Sequence, residues 1–193
     1  VGMFGMSAGG HTALSLAGGR WSESTLNAHC QAHTAEDFNA CAGPNFALSG
    51  GWFDSIRIAV AQSVIAKRLQ DTQWHAHTDP RIRAIVAGVP FAADFDVASF
   101  AQTTAPLALI QAQRDIWLKP QFHSAAVLSH CPTCTLLLDL PSAGHSSLLS
   151  PLPSGLSGNL ASLLADPPEF DRAAEVPRIH RRISDYFVQH LLP

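Results

Sequence analysis

The sequence predicts an α/β protein built on parallel strands, on the strength of three observations. Apolar runs of strand length alternate with stretches of helical character along the chain. Two of those runs, IRAIVAGV (82–89) and PLALIQA (106–112), show hardly any polar alternation, the pattern of strands covered on both faces. A third run, TLLLDLP (135–141), follows the second after a helix-like stretch, and a strand–helix–strand unit is parallel and right-handed by default.

Taken in order, residues 1–19 read as a strand end (VGMF), a tight turn (GMSAG) and a small-residue helix (GHTALSLAGG) that Gly18-Gly19 closes. From Arg20 to Asp79 the chain is rich in His, Asn, Gly and Trp. It holds one clear helical stretch, in which Phe53, Ile56, Val60, Val64, Ile65 and Leu69 approximate a 3.6-residue period. We read 20–80 as an insertion or lid within one partial domain spanning 1–193. After the second strand, Pro120 opens the helix-like PQFHSAAVLSH. SPLPSGLSGN (150–159) reads as a surface loop. The tail places Ile179, Ile183, Phe187 and Leu191 four apart, so one face should pack on the sheet, with Pro177 expected to interrupt the helix.

Composition narrows the function classes. With 47% hydrophobic and 14% charged residues, against roughly 25% charged in an average domain, the chain should bury a substantial core. Twelve basic against fifteen acidic residues leave a net charge of −3, which argues against a nucleic-acid surface or a polybasic membrane patch. No apolar run approaches the ~20 residues that span a bilayer. The chain opens at Val1 in what reads as the middle of a strand, so earlier strands and any signal region are expected to lie outside it. The cysteines sit as two close pairs, Cys30 with Cys41 and Cys131 with Cys134, which leans towards disulfides and an oxidising compartment.

Gly5-Met6-Ser7-Ala8-Gly9 matches G-x-S-x-G after a strand and before a helix, the context that motif requires. The serine there is expected on a strained turn, with its glycines allowing close backbone approach and Ala8 N–H as first oxyanion donor at the helix N-terminus. A serine hydroxyl needs a base to take its proton, and the base needs an acid to fix its tautomer. Ten histidines compete. His145 fits best, in a turn just past the last strand run, and Asp115 fits as the acid just past the second. Asp94 and Asp96, after IRAIVAGV, are rival acids, and Asp139, inside a strand run, is a poorer one.

With these residues in place, the chain resembles the serine-hydrolase branch of the α/β-hydrolase fold. More narrowly, it resembles bacterial predicted dienelactone hydrolases, relatives of the platelet-activating-factor acetylhydrolases. The likeness rests on GMSAGGHTALSLAGGR, the His-Cys pattern NAHCQAH–FNAC, DPRIRAIVAGVPF, PLALIQAQRDIWLKP, PSAGHSSLL and DPPEFDRAAEV. It implies Ser7 as nucleophile, Asp115 as acid, His145 as base, a lid between 20 and 80, and a secreted or periplasmic hydrolase of small-molecule esters that needs no cofactor. The sequence departs from the familiar dienelactone hydrolases in carrying Ser7 where they use cysteine, which favours ordinary ester chemistry. It also lacks the strands before the elbow and the loop that supplies a second oxyanion donor. The alternative reading is a non-catalytic fragment or binding module of hydrolase descent.

Other signals weigh less. Cys131-Pro132-Thr133-Cys134 follows a helix instead of opening one, unlike redox C-x-x-C pairs, and reads as a disulfide or two thiols. His75, His77 and Asp79, or His29 with His33, form only a loose zinc pattern, and loop histidines are the plain reading. Phe46, Trp52 and Phe53 read as lid core packing, with an acyl-binding wall as the alternative.

Overall fold

The computed structural model describes residues 1–43, 46–155, 157, 161 and 164–192. Its centre is a four-stranded, all-parallel sheet of β1 (Gly2–Met6), β2 (Ala84–Gly88), β3 (Leu107–Ala112) and β4 (Thr135–Leu140), in the spatial order β1-β2-β3-β4. The lack of alternation in the two middle runs has its expected cause. Every residue of β2 and β3 is buried, because helices cover both faces.

On one face lie α1 (Ala8–Leu16) and α5 (Ser124–His130), where Ala13, Leu14 and Val127 meet Ile85, Leu107 and Leu109. On the other lies α6 (Arg172–Leu191), where Ile179, Ile183 and Tyr186 meet Val86, Ile110 and Leu138. The predicted tail stripe therefore packs on the sheet, with Phe187 and Leu191 partly buried at its end. Pro177 does not interrupt α6. It stands in the second turn, where its missing N–H costs the helix only the bond to the Ala173 carbonyl, and the apolar stripe carries the helix through. The PQFHSAAVLSH stretch forms a short 3-10 turn, Pro120–Phe122, and then α5. Of the predicted loop 150–159, residues 156 and 158–159 lie outside the described residues.

Between Arg20 and Asp79 the chain forms α2 (Glu23–His33), α3 (Phe38–Ala42) and α4 (Asp54–Arg68). Ser22 caps α2 by accepting from Thr25 N–H. Both cysteine pairs are disulfides, Cys30–Cys41 joining α2 to α3 and Cys131–Cys134 closing the turn before β4. A buried anchor ties the segment to the sheet layer. Asp37 Oδ2 accepts from His29 Nε2 at 2.9 Å and lies 3.2 Å from His123 Nε2, while Ala92 N–H donates to His123 Nδ1. Burial pushes the Asp37 carboxyl up, but the two imidazoles outweigh it and hold the group below its usual range.

The predicted helical stretch is α4, and its apolar stripe is largely uncovered, since Ile56, Val60 and Val64 are each more than half exposed and only Ile65 is buried. One expectation for this segment is corrected. Phe46, Trp52 and Phe53 are not core, at 64%, 76% and 51% exposed, and none lines the cavity at Ser7. Trp52 stacks on Phe53, and Phe46 borders an apolar cleft of about 660 Å³ between α3 and α4. Periodicity fixes which side chains share a face, whereas burial depends on what packs against that face.

Candidate active site

Ser7 closes β1 and opens α1 in a backbone conformation that L-residues rarely adopt, with φ 55° and ψ −119°. Ser7 N–H donates to Gly88 O, and Ser7 O accepts from His11 N–H and Phe91 N–H, so three backbone bonds hold the turn. A Cβ on Gly5 would stand 2.1 Å from the Gly9 carbonyl oxygen, which makes glycine obligatory there. At Gly9 itself a Cβ would meet nothing within 4 Å, contrary to expectation. The second close approach belongs to Gly10, where a Cβ would stand 2.7 Å from Pro90 Cα. Among the described residues no protein group accepts from Ala8 N–H, which leaves it pointing from the α1 N-terminus beside the serine.

His145 begins a 3-10 turn, His145–Leu148, just past β4. Its Nε2 lies 2.9 Å from Ser7 Oγ and its Nδ1 lies 2.7 Å from Asp115 Oδ2. Asp115 follows β3 with a fully buried side chain, and its Oδ1 accepts from Trp117 N–H and Leu118 N–H, both at 2.9 Å. That backbone cradle turns the second oxygen towards the imidazole. Nδ1 therefore donates to the carboxylate, and Nε2 presents a lone pair to the serine O–H. Trp117 stacks on His145 with ring centroids 5.0 Å apart and planes 24° apart, and fixes the ring from its face.

The rival acids are engaged elsewhere. Asp94 pairs with His11 Nε2 at 2.8 Å, Asp96 with Arg20 at 2.6 Å, and Asp139 accepts from Gln113 at 2.6 Å. The loose zinc patterns do not form a centre, and no group of three potential ligands is found among the described residues. His75 instead bridges backbone to backbone with Trp21, Asp79 binds Arg81, and His29 belongs to the Asp37 anchor.

A cavity of about 500 Å³ opens at Ser7, walled by Trp21, Phe91, Trp117 and Leu118, with the His11–Asp94 pair also in its lining. Sequence reasoning missed that pair and the role of Trp117. His11 lies one helical turn beyond Ser7 and so shares its face, which was the one available signal; Trp117 had none. Taken as chemistry, the arrangement holds a hydroxyl against a base of fixed tautomer, beside a free N–H, in a largely apolar pocket. Comparison with protein-family models, with curated proteins and with solved structures finds no match.

Proposed function

We propose that the protein is a serine hydrolase of carboxylic esters with the α/β-hydrolase fold, similar to the predicted dienelactone hydrolases. One observation carries this reading: the unbroken hydrogen-bond chain from Ser7 Oγ through His145 to Asp115, with the serine on a strained strand–helix turn. Ser7 Oγ attacks the ester carbonyl as its proton passes to His145 Nε2. The oxyanion of the tetrahedral intermediate takes the Ala8 N–H, aided by the α1 dipole. Collapse breaks the bond to the alcohol, which leaves with the proton from His145, and an acyl group remains on Ser7. Water then attacks the acyl carbon as its proton moves to His145, and the acid departs as the proton returns to Ser7. Asp115 stabilises the imidazolium at both stages.

The apolar walls of the cavity suit a small-molecule ester, and the route draws only on these side chains. The two disulfides fit a periplasmic or secreted setting, and no helix among the described residues is long and apolar enough to cross a membrane. The test is Ser7→Ala, assayed with p-nitrophenyl esters and with a fluorophosphonate probe. Hydrolysis should fall by about 10⁴-fold or more and labelling should vanish. Labelling that survives the substitution refutes the nucleophile.

A further inference from the structure

The turn that His145 begins is bonded to an ion pair far along the chain. We propose that Arg172 and Asp166 are positioning residues that set the place of the His145 imidazole, an inference that rests on reading Ser7, His145 and Asp115 as a triad. Arg172 stands in the first turn of α6 with its side chain 24% exposed, and the Asp166 side chain is 17% exposed. Its Nε and Nη2 grip the two Asp166 oxygens at 2.6 and 2.9 Å, the fork-on-fork geometry that fixes direction as well as distance. The same guanidinium donates to Ser146 O at 2.9 Å and to Leu149 O at 2.6 Å. The first carbonyl lies within the 3-10 turn that His145 begins and the second just past its end. From Asp166 a second line runs to the residue before the histidine: Ser147 Oγ donates to Asp166 Oδ1 at 2.9 Å and accepts from Gly144 N–H at 2.9 Å.

Apart from the Arg172–Asp166 pair itself, every one of these bonds ends on 144–149, and neither Arg172 nor Asp166 lines the cavity at Ser7. The cluster therefore bears on Ser7 through the turn that carries the imidazole. A helix of only four residues has little hold of its own on the direction of its first side chain. Lysine would keep the charge, but its single nitrogen with three donors cannot make all four contacts or reproduce the fork on Asp166.

The experiment compares Arg172→Gln and Arg172→Lys with the parent by two readouts. One is kcat and KM on a p-nitrophenyl ester. The other is the low-field proton resonance of the His145 Nδ1–H shared with Asp115. Misplacing a catalytic group by about an ångström costs roughly 10²-fold. Both variants should lose about that in kcat with KM within about two-fold, and both should lose or broaden the low-field resonance. A folded variant in which either readout stays at the parent's value overturns the proposal, as does full recovery by lysine. Should Arg172 variants fail to fold, Asp166→Asn and Ser147→Ala leave the guanidinium contacts to the carbonyls and are expected to show the same paired changes, at about 10-fold in kcat. Parent-like values in both of those variants overturn it equally. Ser7→Ala separates the two claims: retained hydrolysis refutes the triad, while the resonance still reports whether Arg172 holds His145.

Discussion

Asp115→Asn tests the electrostatic logic of the site with the smallest change of shape. The asparagine Oδ1 can still accept from Trp117 N–H and Leu118 N–H, so the loop keeps its two 2.9 Å bonds and the fold should be unchanged. The atom facing His145 becomes an NH2 group, which donates where the carboxylate accepted, 2.7 Å from Nδ1 in the parent. Nδ1 must then accept, its proton moves to Nε2, and Nε2–H meets Ser7 Oγ with nothing left to take the serine proton. Loss of charge also removes the stabilisation of the imidazolium. Together these cost about 10⁴-fold in kcat where the same substitution has been made in a triad, or ~5.5 kcal/mol of barrier. The assay is p-nitrophenyl ester hydrolysis under saturating substrate, with circular dichroism and thermal melting to establish that the variant is folded. Asp96→Asn and Asp139→Asn, whose carboxylates serve Arg20 and Gln113, should stay within about two-fold of the parent. A folded Asp115→Asn variant within ten-fold of the parent refutes the assignment of the acid.

Three further outcomes follow from the architecture. Thiol titration of denatured, unreduced protein should find no free cysteine, and opening Cys30–Cys41, eleven residues apart in sequence, should cost about 3 kcal/mol in chemical unfolding. Asp37→Ala strands two imidazoles around a buried site and should cost about 3 kcal/mol. Because the folded Asp37 carboxyl titrates below its unfolded value of 3.8, its contribution is complete above that pH and is lost as pH falls further, so the variant's deficit should shrink in acid. Burial raises the Tyr186 phenol to about 12, so its contribution is complete below pH 10 and is lost as pH rises towards 12. Tyr186→Phe should flatten the alkaline limb of the stability profile across that window.

How far the site could be read from sequence depends on how local each cause is. Ser7, Asp115 and His145 lie one, three and five residues beyond the ends of β1, β3 and β4, so locating three strands located three candidates. The same rule also offered Asp94 and Asp96, just past β2, and it had no means of choosing. The choice is made by two backbone N–H groups, those of Trp117 and Leu118, which aim Asp115 at the histidine, while Asp94 is taken by His11. Arg172 and Asp166 could not be found this way. Their hold on the His145 turn joins residues nineteen to twenty-six apart, and DPPEFDRAAEV carries no periodicity or spacing that announces it. The core reading of Phe46, Trp52 and Phe53 failed for the complementary reason, since residue type does not show whether anything covers a side chain.

The backbone at the elbow supports the same conclusion independently of any motif. Glycine stands at 5 and 10, where a Cβ would collide with the Gly9 carbonyl or with Pro90, so the chain uses glycine where sterics demand it. At residue 7, where φ is 55° and glycine would relieve strain, it carries serine instead. Such a conformation costs of order 1–3 kcal/mol and persists only where the surroundings enforce it, here through the bonds to Gly88 O, His11 N–H and Phe91 N–H. A local rule broken at one position, between two positions where the same rule is kept, singles out the side chain at that position. What the serine offers that glycine lacks is a hydroxyl, and that hydroxyl lies against the lone pair of an imidazole held by Asp115 and faced by Trp117.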